Sequence, residues 1–186
     1  MPPKIPLPAD EELCSEHLQT LANLPPLNIF RMVAAAPRAF GPFMALGGAV
    51  LSGALDAKRR EIVVLRVAHA TGADYEWVQH EQLARNVGVS EREIEAIAGE
   101  EPVSRLDEEH NLLCLVADEI SSQVRLSDEA LEQILARYGS REATELILLV
   151  SYYNMVSRIL ESTRTEIEDQ RLLAGQTRPW KTATER

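Results

Sequence analysis

The sequence predicts an all-α bundle of about eight helices, and three observations lead there. Hydrophobic residues make up 45% of the chain but aromatics only 5%, so Leu, Ile, Val and Ala must fill the interior. That composition suits helix packing better than a sandwich or barrel, whose strands favour aromatic and β-branched residues. Apolar positions recur three and four residues apart, and Ser or Asp starts with Gly stops punctuate the chain at helix-length intervals. With 186 residues there is enough chain for one domain with a core of its own.

The opening to Pro8 is Pro-rich and reads as extended. Asp10 is an expected N-cap for a first helix over 10–23, carrying Leu13, His17, Leu18 and Leu21 on one side. Pro25-Pro26 ends it, and a short helix follows over 27–36. Pro37 opens the next helix, to about residue 51, through small residues around Gly47-Gly48. Each of those glycines costs about 1 kcal/mol relative to Ala, which a close helix contact usually offsets.

Asp56 is placed to cap a helix over 57–71, closed by Gly72. Its run Ile62-Val63-Val64-Leu65-Arg66-Val67-Ala68 is apolar nearly all round and in isolation also fits a buried strand. The start signal at Asp56 and the helical unit after it favour a buried helix. A helix over 74–87 stops at Gly88, and Ser90 with Glu93 forms a capping box for one reaching Ala98. After a linker containing Pro102 come helices over 107–123 and 129–138, the second closed by Gly139. Ser140 is expected to cap the last long helix, to Arg164 or beyond. A weak echo between Arg60-Glu61-Ile62 and Arg141-Glu142-Ala143 leaves room for a duplicated helical unit.

The net charge of −10, with no basic stripe, argues against a nucleic-acid partner. A local Arg still leaves room for a small anionic substrate. No stretch approaches the roughly 20 apolar residues of a membrane span, and the N-terminus lacks a signal-peptide layout. A cytoplasmic location without a membrane partner is the expectation. Cys14 and Cys114, far apart in apolar-patterned stretches, read as buried free thiols in a reducing compartment.

Chemistry concentrates between Glu61 and His80. Glu76 and His80 are four residues apart and share a helix face. A carboxylate beside an imidazole raises the His pKa toward working pH and suits proton transfer. Spacing by itself equally admits an exposed pair worth a few tenths of a kcal/mol. Glu61 borders the apolar run, so it is either a functional acid or a first-turn Glu favoured by the helix dipole. Arg66 sits within that run, where its charge requires an internal carboxylate or an anionic ligand. Tyr75 and Trp77 are candidate pocket walls, and Arg85 a further candidate anion anchor. His69 near the helix end can cap carbonyls, while His17 and His110 lack a supporting constellation. Glu61, Glu76 and His80 come without a second Glu-x-x-His element, so no metal site is expected. There is no P-loop, dinucleotide fingerprint or Gly-x-Ser-x-Gly elbow.

The stretch Arg60-Glu61, Leu65-Arg66-Val67-Ala68, Gly72-Ala73-Asp74-Tyr75-Glu76-Trp77-Val78-Gln79-His80-Glu81, Ala84 and Gly88-Val89-Ser90 resembles the core motif of the carboxymuconolactone decarboxylase family in the AhpD-like superfamily. It is most similar to the variant reading Tyr-Glu-Trp-x-x-His. The resemblance implies an AhpD-like helical bundle over 27–167, preceded by an arm and first helix over 1–26 and followed by a tail over 168–186. Aligned on His80, Ala73 and Glu76 stand where the peroxidase branch has its Cys-x-x-Cys pair, and Glu61 where that branch has a relay Glu. Without two sulfurs the dithiol peroxidase reaction is not expected.

What the resemblance implies instead is a cofactor-free lyase acting on a small carboxylated lactone or ring. His80 would be proton donor, Glu76 its orienting partner, Glu61 a second acid or relay, and Arg66 or Arg85 the anion anchor. Two further readings stay open, a peroxidase-like oxidoreductase without the dithiol and a non-catalytic helical oligomer. The resemblance also implies a trimer or hexamer, with Gly47-Gly48 and the tail around Trp180 as candidate interface elements.

Overall fold

The computed structural model describes residues 4–168, and among them there are helices and no strand. The element order is α1 (Ser15–Ala22), α2 (Asn28–Ala34), α3 (Pro37–Leu51), α4 (Ala57–Thr71), α5 (Asp74–Asn86), α6 (Glu91–Gly99), α7 (Glu108–Gln123) and α8 (Asp128–Thr163). The all-helical expectation holds. The tail with Trp180 lies outside the described residues.

The bundle is organised around α4. Every residue over 60–68 is buried, and the helix packs against α5, α6, α7 and α8. A helix that is apolar all round must be enclosed on every side, which is why the run reads ambiguously in sequence and resolves as the central helix. One core cluster joins α4 to α2, α3, α7 and α8 through residues such as Phe30, Phe40, Val64, Leu113, Leu146 and Leu160. A second, smaller cluster lies on the side of α4 that faces α6, around Ile62, Leu65, Ala84, Ile94 and Ile97.

Local chemistry sets the joints. Asp56 accepts the Arg59 backbone N–H and opens α4. The Ser90–Glu93 capping box forms as the pattern predicts, and the Asp107 and Ser127 side chains cap α7 and α8 by accepting the His110 and Ala130 backbone N–H groups. Gly72, with φ 64°, closes α4 in the left-handed region and turns the chain directly into α5. That short reversal sets α5 against α4.

Two expectations need correction, and one at Gly139 is met. Asp10 does not cap a helix over 10–23. It begins a single 3-10 turn (Asp10–Glu12), Leu13 is extended, and α1 starts only at Ser15. The short helix expected over 27–36 is trimmed to α2. The break expected at Gly139 is present: its φ of 70° and ψ of 173° are non-helical, so α8 consists of two helical stretches joined across a kink. That backbone region is essentially restricted to Gly, so the chain bends there and resumes the helix.

An Ala at position 72 would meet nothing within 4 Å, so its penalty is purely conformational. Gly72→Ala is expected to destabilise the protein by about 1 kcal/mol, read as a lower urea midpoint with an unchanged denaturant slope.

Candidate functional site

The Gly72 reversal brings α5 alongside α4, and their facing side chains create a buried array of ionisable groups. His80 Nδ1 lies 2.6 Å from Glu61 Oε2, while His80 Nε2 lies 3.4 Å from Glu76 Oε2. Glu61 also accepts from Arg60 Nε at 3.1 Å, and Arg60 reaches the Leu51 carbonyl oxygen at 3.4 Å. Glu61 is 0% exposed and Glu76 and His80 are each 4% exposed. The exposed-pair alternative for Glu76 and His80 is thereby removed.

Burial sets the acidities of these groups. It pushes the Glu76 carboxyl up to about 7, with the His80 charge opposing and the Glu61 charge adding to the rise. For His80, burial disfavours the imidazolium, but the charge and hydrogen bond of Glu61, helped by Glu76, raise the net value above its ordinary one. With Nδ1–H donated to Glu61, Nε2 is the nitrogen available for chemistry. Glu76 Oε2 is buried and has no hydrogen-bond partner, a costly state for a polar atom.

The array borders a small cavity of about 30 Å³, the volume of about one water molecule. Its walls are Leu27, Ile29, Phe30, Phe43 and Val156, and its polar rim is Tyr75, Glu76, Gln79, His80, Tyr152 and Tyr153. Tyr153 stands edge-on to His80 at 5.0 Å between ring centroids, and Tyr152 packs against both Tyr153 and Phe43. Burial raises the pKa of both hydroxyls, so Tyr152 and Tyr153 remain neutral beside the array.

Of the residues expected at the site, Glu61, Glu76, His80 and Tyr75 are brought together; Glu61 stands behind the imidazole instead of on the cavity wall. The orienting role expected of Glu76 falls by geometry to Glu61, because only Glu61 makes a short hydrogen bond to the ring. Arg66 does not face the cavity. Its guanidinium is bidentate to Asp118 at 2.6 and 2.9 Å and donates to the Ile97 carbonyl oxygen at 2.6 Å, all of it structural. Arg85 is held at the surface by Glu91 and Glu81 and is no anion anchor here. Trp77 packs toward the second core cluster and edge-on to His69, so it is not a wall of this cavity.

Sequence reasoning does not reach Gln79, Tyr152, Tyr153, Arg60 or Glu168 as site residues. Gln79 was detectable, being four residues after Tyr75 on the same face. The tyrosines and Glu168 come from distant sequence and leave no local signal.

Among the described residues no group of three or more His, Cys, Asp or Glu side chains is arranged to hold a metal ion. Glu61 and Glu76 approach opposite nitrogens of one imidazole, so they do not converge on a common point. No described helix is long and apolar enough to cross a membrane.

The central buried helix and the helices packed round it form an AhpD-like helical fold. The chain is similar to a peroxidase-related protein from Ralstonia eutropha JMP134 described as an alkylhydroperoxidase AhpD core, with TM-score 0.78 and 17% identity over 96% of this chain and 100% of that one. A peroxidase-related protein from Silicibacter sp. TM1040 superposes with TM-score 0.74 and 17% identity over 94% of each chain. A protein of unknown function from Agrobacterium tumefaciens, whose description suggests the antioxidant defence protein AhpD, matches with TM-score 0.63 and 25% identity over 74% of this chain and 95% of that one. Residues 37–113, the segment that carries Glu61, Glu76 and His80, match the model of the Carboxymuconolactone decarboxylase family. No curated protein matches the sequence.

A pH-dependent stability arises from Glu76. Its folded value of about 7 exceeds the ordinary 4.5, so between those values the folded chain holds a proton that the unfolded chain releases. Stability then falls as pH rises through that window, by at most about 1.4 kcal/mol per pH unit. His80, also raised, adds a loss that begins above its ordinary 6.5. Glu76→Gln is expected to flatten the decline between pH 4.5 and about 7, measured by urea unfolding across pH.

Proposed function

We propose that this chain is a cofactor-free lyase that decarboxylates a small carboxylated lactone or ring by proton transfer through His80 and Glu76. The observation that carries this reading is the Glu61–His80 hydrogen bond of 2.6 Å with Glu76 at the other ring nitrogen, at the wall of an apolar cavity. In such a reaction the bond between the ring carbon and its carboxylate breaks, carbon dioxide leaves, and the electron pair stays on the ring carbon until a proton arrives. An apolar enclosure favours that loss of localised charge, and a neighbouring acid supplies the proton. Glu76, poised near neutrality, and His80 are the two groups able to deliver it. Glu61 positions the imidazole and stabilises its charged form.

The structural neighbours' names bring peroxide chemistry to mind, but the thiols of this chain give it little support. Cys114 is buried as expected and its thiol is pushed up to about 12 by desolvation, whereas Cys14, expected to be buried, is exposed just before α1. A low-pKa attacking thiolate with a resolving partner is not assembled among the described residues.

Carbon dioxide release from a series of small carboxylated lactones, measured in the presence and absence of chelator, tests the proposal. One substrate should turn over, and His80→Ala should lower kcat by about 10²-fold or more with the circular dichroism spectrum unchanged. Retention of full turnover by His80→Ala, or peroxide consumption by a Cys14→Ala, Cys114→Ala protein in place of decarboxylation, would overturn it.

A further inference from the structure

The far end of the described chain supplies a carboxylate to the candidate site. After α8 ends, residues 165–168 return past α2, where Asn28 Nδ2 donates to the Glu166 carbonyl oxygen at 2.9 Å and Lys4 pairs with the Glu166 side chain. Glu168 then meets two side chains that line the cavity. The Tyr75 hydroxyl lies 2.7 and 2.9 Å from the two Glu168 oxygens, and Gln79 Nε2 donates to Oε1 at 3.1 Å. The same hydroxyl accepts the Ile29 N–H at 3.3 Å, which leaves its own proton for the carboxylate.

We infer that Tyr75 and Gln79 form a binding subsite for the carboxylate of a small organic acid, and that Glu168 occupies it in the unliganded chain. The inference rests on reading the cavity as a substrate pocket whose present volume of about 30 Å³ holds one water, so an incoming acid must take the place of the Glu168 side chain; it supplies the anion-binding group that Arg66 and Arg85 do not. Two parallel rows on α5 carry it. Tyr75 and Gln79 are four residues apart, and so are Glu76 and His80, one position further round the helix. A carboxylate held by the first row sets the body of its molecule over the proton-transfer pair of the second.

The chemistry of the donors selects the ligand. Among the described residues no Lys or Arg lines the cavity, so a multiply charged phosphate finds no counter-charge there. A phenol and a primary amide offer hydrogen bonds to a monoanion, and the Glu168 geometry shows both donors reaching one planar carboxylate together. Neutral donors also leave the carboxylate charge uncompensated, which suits a group that departs as carbon dioxide. Because Glu168 is tethered, an incoming acid competes with a high effective concentration of an internal ligand. Its apparent affinity falls by the fraction of time the donors are free.

Titration of acetate and benzoate into the full ¹⁵N-labelled chain, followed through the Gln79 side-chain amide signals, tests this directly. Glu168→Ala is expected to bind benzoate at least about tenfold more tightly than the parent protein, with the Gln79 signals shifting on binding. Adding Gln79→Leu or Tyr75→Phe should remove the gain, and methyl benzoate should not bind. Glu168→Gln, which keeps the size of the side chain, gives a second measure in case the Ala variant folds poorly. Equal affinity in the parent and both Glu168 variants, or Gln79 signals that do not move, would overturn the inference. The readout is binding and not turnover. A His80→Ala protein that still binds carboxylates, in an enzyme screen that finds no decarboxylation, separates a failed lyase reading from a failed subsite.

Discussion

The hydrogen bond between Glu61 and His80 is the interaction on which the rest of the site depends. It joins two adjacent helices across a water-excluded contact, with the carboxylate fully buried and the imidazole nearly so. In such surroundings a charge is stable only if a partner meets it at short range. Arg60 on one side of Glu61 and His80 on the other supply those partners. Once the imidazole is committed to Glu61 through Nδ1, its orientation and its free nitrogen are both determined, and Glu76 is left facing that nitrogen without a hydrogen bond of its own.

The same constraint explains why α4 carries charged residues through the middle of the molecule. Arg60, Glu61 and Arg66 are all buried on this helix, and each has a dedicated counterpart. Arg66 is satisfied by Asp118 of α7 and the Ile97 carbonyl oxygen of α6, so it ties α4 to its neighbours on the side away from the cavity. Glu61 faces α5 and belongs to the site. Two ionic contacts on one buried helix thus divide the labour, one holding the bundle and one preparing a reactive group.

Legibility in sequence followed the range of the interactions involved. Helix starts at Asp56 and Ser90 are readable because a cap involves residues three apart. The Glu76–His80 pair was readable for the same reason. Asp10 misleads because an acidic cluster before an apolar residue resembles a helix start, whereas the chain there makes a single 3-10 turn and is extended again at Leu13. Arg66, read as needing an internal carboxylate or an anionic ligand, meets the carboxylate of Asp118, while Trp77 and Arg85 are pocket candidates only as near neighbours of His80 in sequence. On a helix, residues one to five positions away point in different directions, and only the packing tells which direction is the cavity.

By itself the sequence determined the helical class, most helix boundaries, the acid–imidazole pair on one face and its likeness to the carboxymuconolactone decarboxylase motif, all properties carried by short-range patterns. Tertiary structure alone decided that Glu61 and not Glu76 holds the imidazole, that Arg66 is consumed by Asp118, and that Tyr152, Tyr153 and Glu168 join residues 75–80 at one cavity. Those contacts link residues 19 to 93 positions apart, and no local periodicity records them. They exist because closing the bundle around α4 excludes water, and only then does each buried charge select its partner.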